Sequence, residues 1–183
     1  MRAAPVPTDR ASRRAAAWVC ALLLPVLPAW GEDAPAAQLT QLTQLAQQFT
    51  GHWACHGHFS NGKLISSGES FAPILGAHFL AQEHSDNPPF AYNAHSLWGY
   101  DPTQHLLTLS IYDNFGGQRL FTSSGWQDAV LTFETHALLA PLTRQERFIY
   151  KSLAKGAGYS VEYQVLDKTG TWKMGDVLEC RHA

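Results

Sequence analysis

From residue 52 onward the sequence is a series of short segments with the pattern of β-strands, separated by turn residues. Apolar and polar side chains alternate within the segments, as in residues 159–165, which is typical of a strand with one buried face. Gly, Asn, Asp and Pro stand between the segments, where the chain must turn. The predicted strands are 52–59, 63–72, 76–84, 92–100, 105–113, 118–124, 129–135, 144–152, 158–166 and 171–181.

Ten strands in sequence order with tight turns predict an antiparallel meander. A meander of this length usually closes on itself, because closure removes the unpaired edge strands. Before the strands, residues 36–49 place Leu39, Leu42, Leu45 and Phe49 on one face of a helix. The sequence therefore predicts an all-β fold, a closed antiparallel up-and-down barrel of about 8–10 strands, preceded by a short N-terminal helix.

The first residues have the pattern of an export signal. Four Arg residues precede an apolar stretch at 15–27, and small residues flank Trp30 at a cleavage site after Gly31. The alternative is an ordinary N-terminal helix. We predict a periplasmic or secreted protein. Its predicted parts are a cleaved signal peptide at 1–31, an extension with a helix at 32–50 and a barrel domain at 51–183.

The cysteines fit an oxidising compartment. Cys20 falls within the predicted signal, which leaves Cys55 and Cys180 in the first and last predicted strands. A pair of cysteines in an exported protein predicts a disulfide bond. Such a bond would hold the first strand beside the last, as closure of a barrel requires. The alternative is two unpaired buried thiols.

Charge and hydropathy exclude two classes of partner. The formal net charge is -2 and no dense Lys/Arg cluster follows residue 14, so the sequence lacks the basic surface of a nucleic-acid-binding protein. The apolar run at 15–29 is shorter than the ~20 residues that span a membrane, and Pro25 and Pro28 interrupt it. We therefore predict neither a nucleic-acid partner nor a membrane span.

The segment Gly51-His52-Trp53, directly after the predicted helix, resembles the opening of the lipocalin and fatty-acid-binding (calycin) barrels. Several later motifs, in this order, are similar to an uncharacterised bacterial lipocalin-like domain family. They are Leu97-Trp98-Gly99-Tyr100-Asp101, Asp113-Asn114-x-Gly-Gly, Gly125-Trp126 and Arg147-Phe148. The resemblance implies a barrel with Trp53 plugging one end and Arg181 as the only candidate to pack over it. It implies no established activity.

Aromatic residues make up 11% of the chain, more than the core of one small domain needs. A barrel of this size can enclose one ligand, and aromatic walls suit it. We therefore predict that the barrel binds a small apolar or amphipathic molecule. The predicted binding residues are Arg147, Arg119, Trp98, Tyr100, Tyr112, Trp126 and Tyr150.

Arginine can hold a carboxylate through two hydrogen bonds, and a buried Arg anchors the acidic head group in fatty-acid-binding barrels. By that resemblance, Arg147 is the first candidate and Arg119 the second for holding an acidic group of the ligand. Alternatively, Glu134, Glu146 or Glu162 pairs with either Arg for structural reasons, or the barrel is filled and has no cavity.

Other chemistry receives less support from the sequence. His56 and His58 share one face of a strand and could bind a metal if a third ligand approached. A solvated outer face explains them better, so we predict no metal and no cofactor. In Glu83-His84-Ser85-Asp86, adjacent residues point to opposite faces, which prevents a catalytic triad.

An isomerase or hydrolase using His95 or Glu134 is an alternative function, and a structural or interaction module is another. The sequence leaves catalysis and the oligomeric state open.

Overall fold

The computed structural model of the protein describes residues 33–135 and 144–183, with the backbone alone for residues 33–39 and 155. The predicted signal peptide at 1–31 lies outside the described residues. One α-helix, α1 (Asp33–Phe49), precedes the strands of this described part. The strands are β1 (Gly51–Phe59), β2 (Leu64–Ile74), β3 (Phe79–Asp86), β4 (Asn93–Asp101), β5 (Leu106–Asp113), β6 (Gln118–Ser123), β7 (Trp126–Gln127), β8 (Val130–Thr135), β9 (Glu146–Ser152), β10 (Tyr159–Leu166) and β11 (Trp172–His182).

The strands form one closed antiparallel ring. Each strand from β1 to β6 pairs with the next, β8 to β11 do the same, and the ring is completed by pairing of β6 with β8 and of β1 with β11. The predicted all-β closed barrel with a preceding helix is therefore confirmed, with ten strands in the wall. The sequence missed the two-residue β7, which pairs only with β8 in this part of the chain and stands where we predicted a turn.

The seam between β1 and β11 joins the two ends of the barrel domain. Cys55 lies directly opposite Cys180 in the register, and their sulfur atoms are 2.04 Å apart, the length of the predicted disulfide bond. Both residues are fully buried. The two strands approach each other closely at Gly57. A Cβ atom added there would collide with the backbone oxygen of Val177, so only glycine fits.

An aromatic cluster fills the end of the barrel next to α1. Phe49, the last residue of the helix, is fully buried inside the ring. The rings of five other residues lie within 6.1 Å of it, centroid to centroid: Phe71, Trp98, Trp126, Tyr150 and Tyr159. The indole of Trp53 donates a hydrogen bond to the carbonyl of Phe49 at 2.6 Å, which fixes the helix end to β1. We call Phe49 and these five rings the aromatic plug.

No helix among the described residues has both the length and the apolar character needed to cross a membrane.

Candidate ligand-binding cavity

A cavity of about 400 Å³ extends from the aromatic plug towards the opposite end of the barrel, a volume within the usual range for small-molecule sites. We call that end the mouth; it carries the connections 60–63, 87–92 and 114–117. The walls are mostly apolar and aromatic. Polar side chains enter at a few points: Glu69, Gln82, His84, Asp86, Ser96, Arg119 and Asp176.

The alternation of inward and outward side chains along β2 and β3 brings Glu69, His84 and Asp86 into the cavity. On β2, Ile65, Glu69 and Phe71 belong to the buried face. On β3, His84 and Asp86 are two residues apart and both line the cavity. The register sets Glu69 directly opposite His84, so two strands bring these side chains together.

Glu69 is 6% exposed, and its carboxylate accepts hydrogen bonds from three side chains. One oxygen, Oε2, accepts from the amide of Gln82 at 2.8 Å and from the hydroxyl of Tyr159 at 2.9 Å. The other, Oε1, lies 3.2 Å from Nδ1 of His84. Burial and the neighbouring Glu69 raise the pKa of Tyr159 well above its ordinary value, so this hydroxyl stays a donor. The carboxylate is thus fixed, as a buried charge requires.

His84 lies between two carboxylates. Its second nitrogen, Nε2, is 2.9 Å from Oδ1 of Asp86. Burial by itself would lower the pKa of His84, but the hydrogen bonds with Asp86 and Glu69 and their negative charges outweigh it and raise the pKa to about 9. At neutral pH the ring is therefore an imidazolium that donates to both carboxylates.

This arrangement predicts a pH dependence of stability. The pKa of His84 is raised from 6.5 to about 9, so the stability that the proton contributes is fully present below pH 6.5 and is lost as the pH rises through about 9. We expect the free energy of unfolding in urea to fall by up to about 3 kcal/mol across this interval. His84→Gln should flatten that slope, whereas His95→Gln, at a side chain 78% exposed, should leave it unchanged. An equal slope in both variants would contradict the assignment.

Among the described residues that line the cavity, Arg119 is the second cation, and it already forms ion pairs with two carboxylates. Its guanidinium lies 3.1 Å from Oδ2 of Asp113 and 3.5 Å from Oε2 of Glu146, and it donates to the hydroxyl of Tyr92. The side chain is 12% exposed. Arg144 approaches the same Glu146 carboxylate at 3.3 Å from a more exposed position. Two carboxylates therefore neutralise Arg119 before any ligand arrives.

Asp176 differs from the other carboxylates of the cavity. It lines the cavity from β11, opposite Phe59 and Tyr163 in the register. Within the described ranges, its side chain has no hydrogen bond and no ion pair. Burial, together with the charge of Asp86, raises its pKa to about 6, although His84 acts in the opposite direction. The cavity thus contains one carboxylate without a partner among the described residues.

Two of the seven predicted binding residues, Arg119 and Tyr150, line the cavity. Arg147, the first candidate for an acidic head group, is on the outer face of β9 and not in the cavity. Its Nε donates to Oε1 of Gln164 at 2.6 Å, and its guanidinium lies 4.2 Å from the centre of the Trp172 ring. Successive side chains of a strand point to opposite faces. Because Glu146, Phe148 and Tyr150 occupy the inner positions of β9, Arg147 lies on the outer face.

The other predicted aromatic residues lie elsewhere. Trp98 and Trp126 belong to the aromatic plug, where Trp98 donates to Oε1 of Gln82 at 3.0 Å. Tyr100 lies near the plug end of the barrel, with its hydroxyl 3.3 Å from a ring nitrogen of His105. Tyr112 is 47% exposed on the outer face of β5. Tyr112 is outside the cavity because it points to the outer face of its strand. Trp98, Trp126 and Tyr100 are outside it because they lie at or near the plug end of the barrel.

The candidates for metal binding and acid/base chemistry are also outside the cavity. His56 and His58 are exposed on the outer face of β1. The side chains of His95 and Glu134 are 78% and 54% exposed, and neither lines the cavity. In the described part of the chain, the grouping of three potential metal ligands is Cys55, Glu69 and Cys180, whose sulfur atoms are joined to each other. A disulfide has no thiolate to offer a metal.

Sequence reasoning missed Glu69, His84, Asp86 and Asp176 as cavity residues. One signal was present, because His84 and Asp86 are two residues apart in a strand and so share a face. Glu69 stands two residues before Phe71 and shares its inner face in the same way. Asp176 gave no comparable signal.

No family model matches this chain, and neither does any curated protein.

Proposed function

We propose that the protein binds one small, largely apolar or amphipathic molecule inside the barrel. The observation that supports this most is the cavity of about 400 Å³, which has apolar walls and a few converging polar groups. Small-molecule sites have this composition. The resemblance of the sequence to lipocalin-like barrels points in the same direction.

The walls suit a ligand with a hydrocarbon or ring body. Phe59, Phe148 and Tyr150 contribute aromatic surface, and Val161 and Leu178 contribute aliphatic surface. The aromatic plug occupies the space beyond them, so the ligand would enter from the mouth.

The predicted acidic head group finds little support in these contacts. Arg147 points away from the cavity, and Arg119 already pairs with Asp113 and Glu146. A carboxylate entering the cavity would meet Glu69, Asp86 and Asp176. Among the described residues, the two cations that line the cavity, His84 and Arg119, each already contact two carboxylates, and only the buried Nε of Arg119 is without a hydrogen-bond partner. The acidic group of the ligand therefore stays a prediction from the sequence, and these contacts do not favour it.

We also propose that the protein is exported and works in the periplasm or outside the cell. The signal-like N-terminal sequence supports this proposal. So does the Cys55–Cys180 disulfide, because such bonds persist in oxidising compartments.

Binding of the neutral fluorophore N-phenyl-1-naphthylamine tests the proposed function. We expect saturable binding by the wild type, because an apolar cavity excludes water from the probe. Ala94→Phe places a large ring on a residue that lines the cavity and is 5% exposed, and it should weaken binding about tenfold or more.

The matched control is His95→Phe, one residue along the same strand on the outer face, which should bind the probe like the wild type. Thermal unfolding of both variants checks that they fold. If the wild type failed to bind the probe, or if Ala94→Phe bound it as tightly as the control, the proposed site would be wrong.

A further inference from the structure

The charges in and around the cavity do not balance. His84 contacts two carboxylates, Glu69 and Asp86. Arg119 likewise contacts two, Asp113 and Glu146, the second of which it shares with the more exposed Arg144. Among the described residues, each cation that lines the cavity thus already contacts two carboxylates, although the buried Nε of Arg119 has no hydrogen-bond partner. The carboxylate of Asp176 comes in addition to these pairs, so the cavity carries an excess of negative charge.

Asp176 shares its part of the cavity wall with aromatic residues. Its neighbours across β1 and β10 are Phe59 and Tyr163. The Phe59 ring packs edge-on against Phe90 with their centroids 5.2 Å apart. A carboxylate beside aromatic faces is the environment in which proteins hold ammonium groups, because the ring faces and the carboxylate both attract positive charge.

One ring of this group already has a cation over it. The ammonium nitrogen of Lys63, from the connection between β1 and β2, lies 4.6 Å from the centre of the Phe90 ring. Lys63 does not line the cavity. The Phe90 ring near the mouth therefore already attracts a cation of the chain itself. This cation forms no ion pair with Asp176 among the described contacts.

We propose that the ligand of this cavity is an amphipathic amine, whose protonated nitrogen lies against Asp176 among the aromatic rings near the mouth and whose hydrocarbon part points towards the aromatic plug. This inference rests on the proposed function, since it specifies the polar group of a ligand in the same cavity. A fatty acid of the same length would place its charge against the same carboxylate.

Three probes with the same chain and different head groups test the proposal: decylamine, decanol and decanoate. Their affinities are measured near neutral pH by displacement of N-phenyl-1-naphthylamine. We expect decylamine to bind about tenfold more tightly than decanol, and decanoate to bind more weakly than decanol. In Asp176→Asn the advantage of decylamine over decanol should disappear, while the affinity for decanol is retained.

The matched control is Glu179→Gln, which removes a carboxylate from the outer face of the same strand and should preserve the order of the three affinities. Thermal unfolding reports whether the variants fold. Above pH 6, Asp176→Asn should unfold at or above the wild-type temperature, because the fold disfavours the charged form of Asp176.

The outcomes separate the two proposals. If decanol and decanoate bind as tightly as decylamine, the barrel is a binding protein and the amine assignment is wrong. The assignment is equally wrong if Asp176→Asn keeps the preference for decylamine. If neither the fluorophore nor any of the three probes binds to the wild type, the proposed function itself fails.

Discussion

The double variant Cys55→Ala/Cys180→Ala is expected to unfold roughly 10 °C below the wild type. The disulfide joins residues separated by 125 positions, and closing so long a loop restricts the unfolded chain strongly. The loop-entropy relation gives a stabilisation of roughly 4–5 kcal/mol as an upper estimate. Loss of the bond also frees the seam between β1 and β11 to separate.

Scanning calorimetry with and without a reducing agent measures this effect. Reduction should lower the unfolding temperature of the wild type to that of the double variant and should leave the double variant unchanged. If the two proteins unfolded at the same temperature under oxidising conditions, the bond would contribute nothing to stability.

Phe49→Ala is expected to destabilise the protein by about 3–5 kcal/mol, the range for removal of a buried phenylalanine ring. Phe49 is fully buried, and its ring contacts the other five rings of the aromatic plug. Truncation leaves a cavity among rigid rings that cannot collapse into the space. Because Phe49 also ends α1, the variant should loosen the helix from the barrel.

Urea unfolding followed by tryptophan fluorescence checks the size of this effect. Phe115→Ala is the matched control, since Phe115 is 74% exposed at the mouth and its loss should change the free energy of unfolding by less than about 0.5 kcal/mol. Phe49→Leu, which keeps part of the volume, should lie between the two. Similar stabilities for Phe49→Ala and Phe115→Ala would show that the plug does not hold the barrel together.

Much of the fold could be predicted because it depends on local signals. Turn residues marked the ends of the ten wall strands, and the pairing of Cys55 with Cys180 indicated which strands close the ring. β7 was missed because two residues are too few to display an alternating pattern.

The cavity was harder to predict because inner and outer residues of a strand differ by a single position. Arg147 illustrates this. Phe148 and Tyr150 alternate with it, so once these aromatic residues face inward, Arg147 must face outward. The role of Asp176 could not be predicted from its own strand, because its lack of a partner depends on which side chains eight other strands bring into the cavity.

The pairing of β1 with β11 governs the order in which a newly made chain can assemble. β1 precedes β11 by the whole length of the domain, so one edge of β1 lacks its partner until residue 182 has been synthesised. An unpaired edge strand can join strands of other chains, and pairing between distant segments forms late. Cys55 meets the same delay, because Cys180, its partner in the disulfide bond, lies in β11. Correct assembly therefore requires that its oxidation wait for the last strand to arrive.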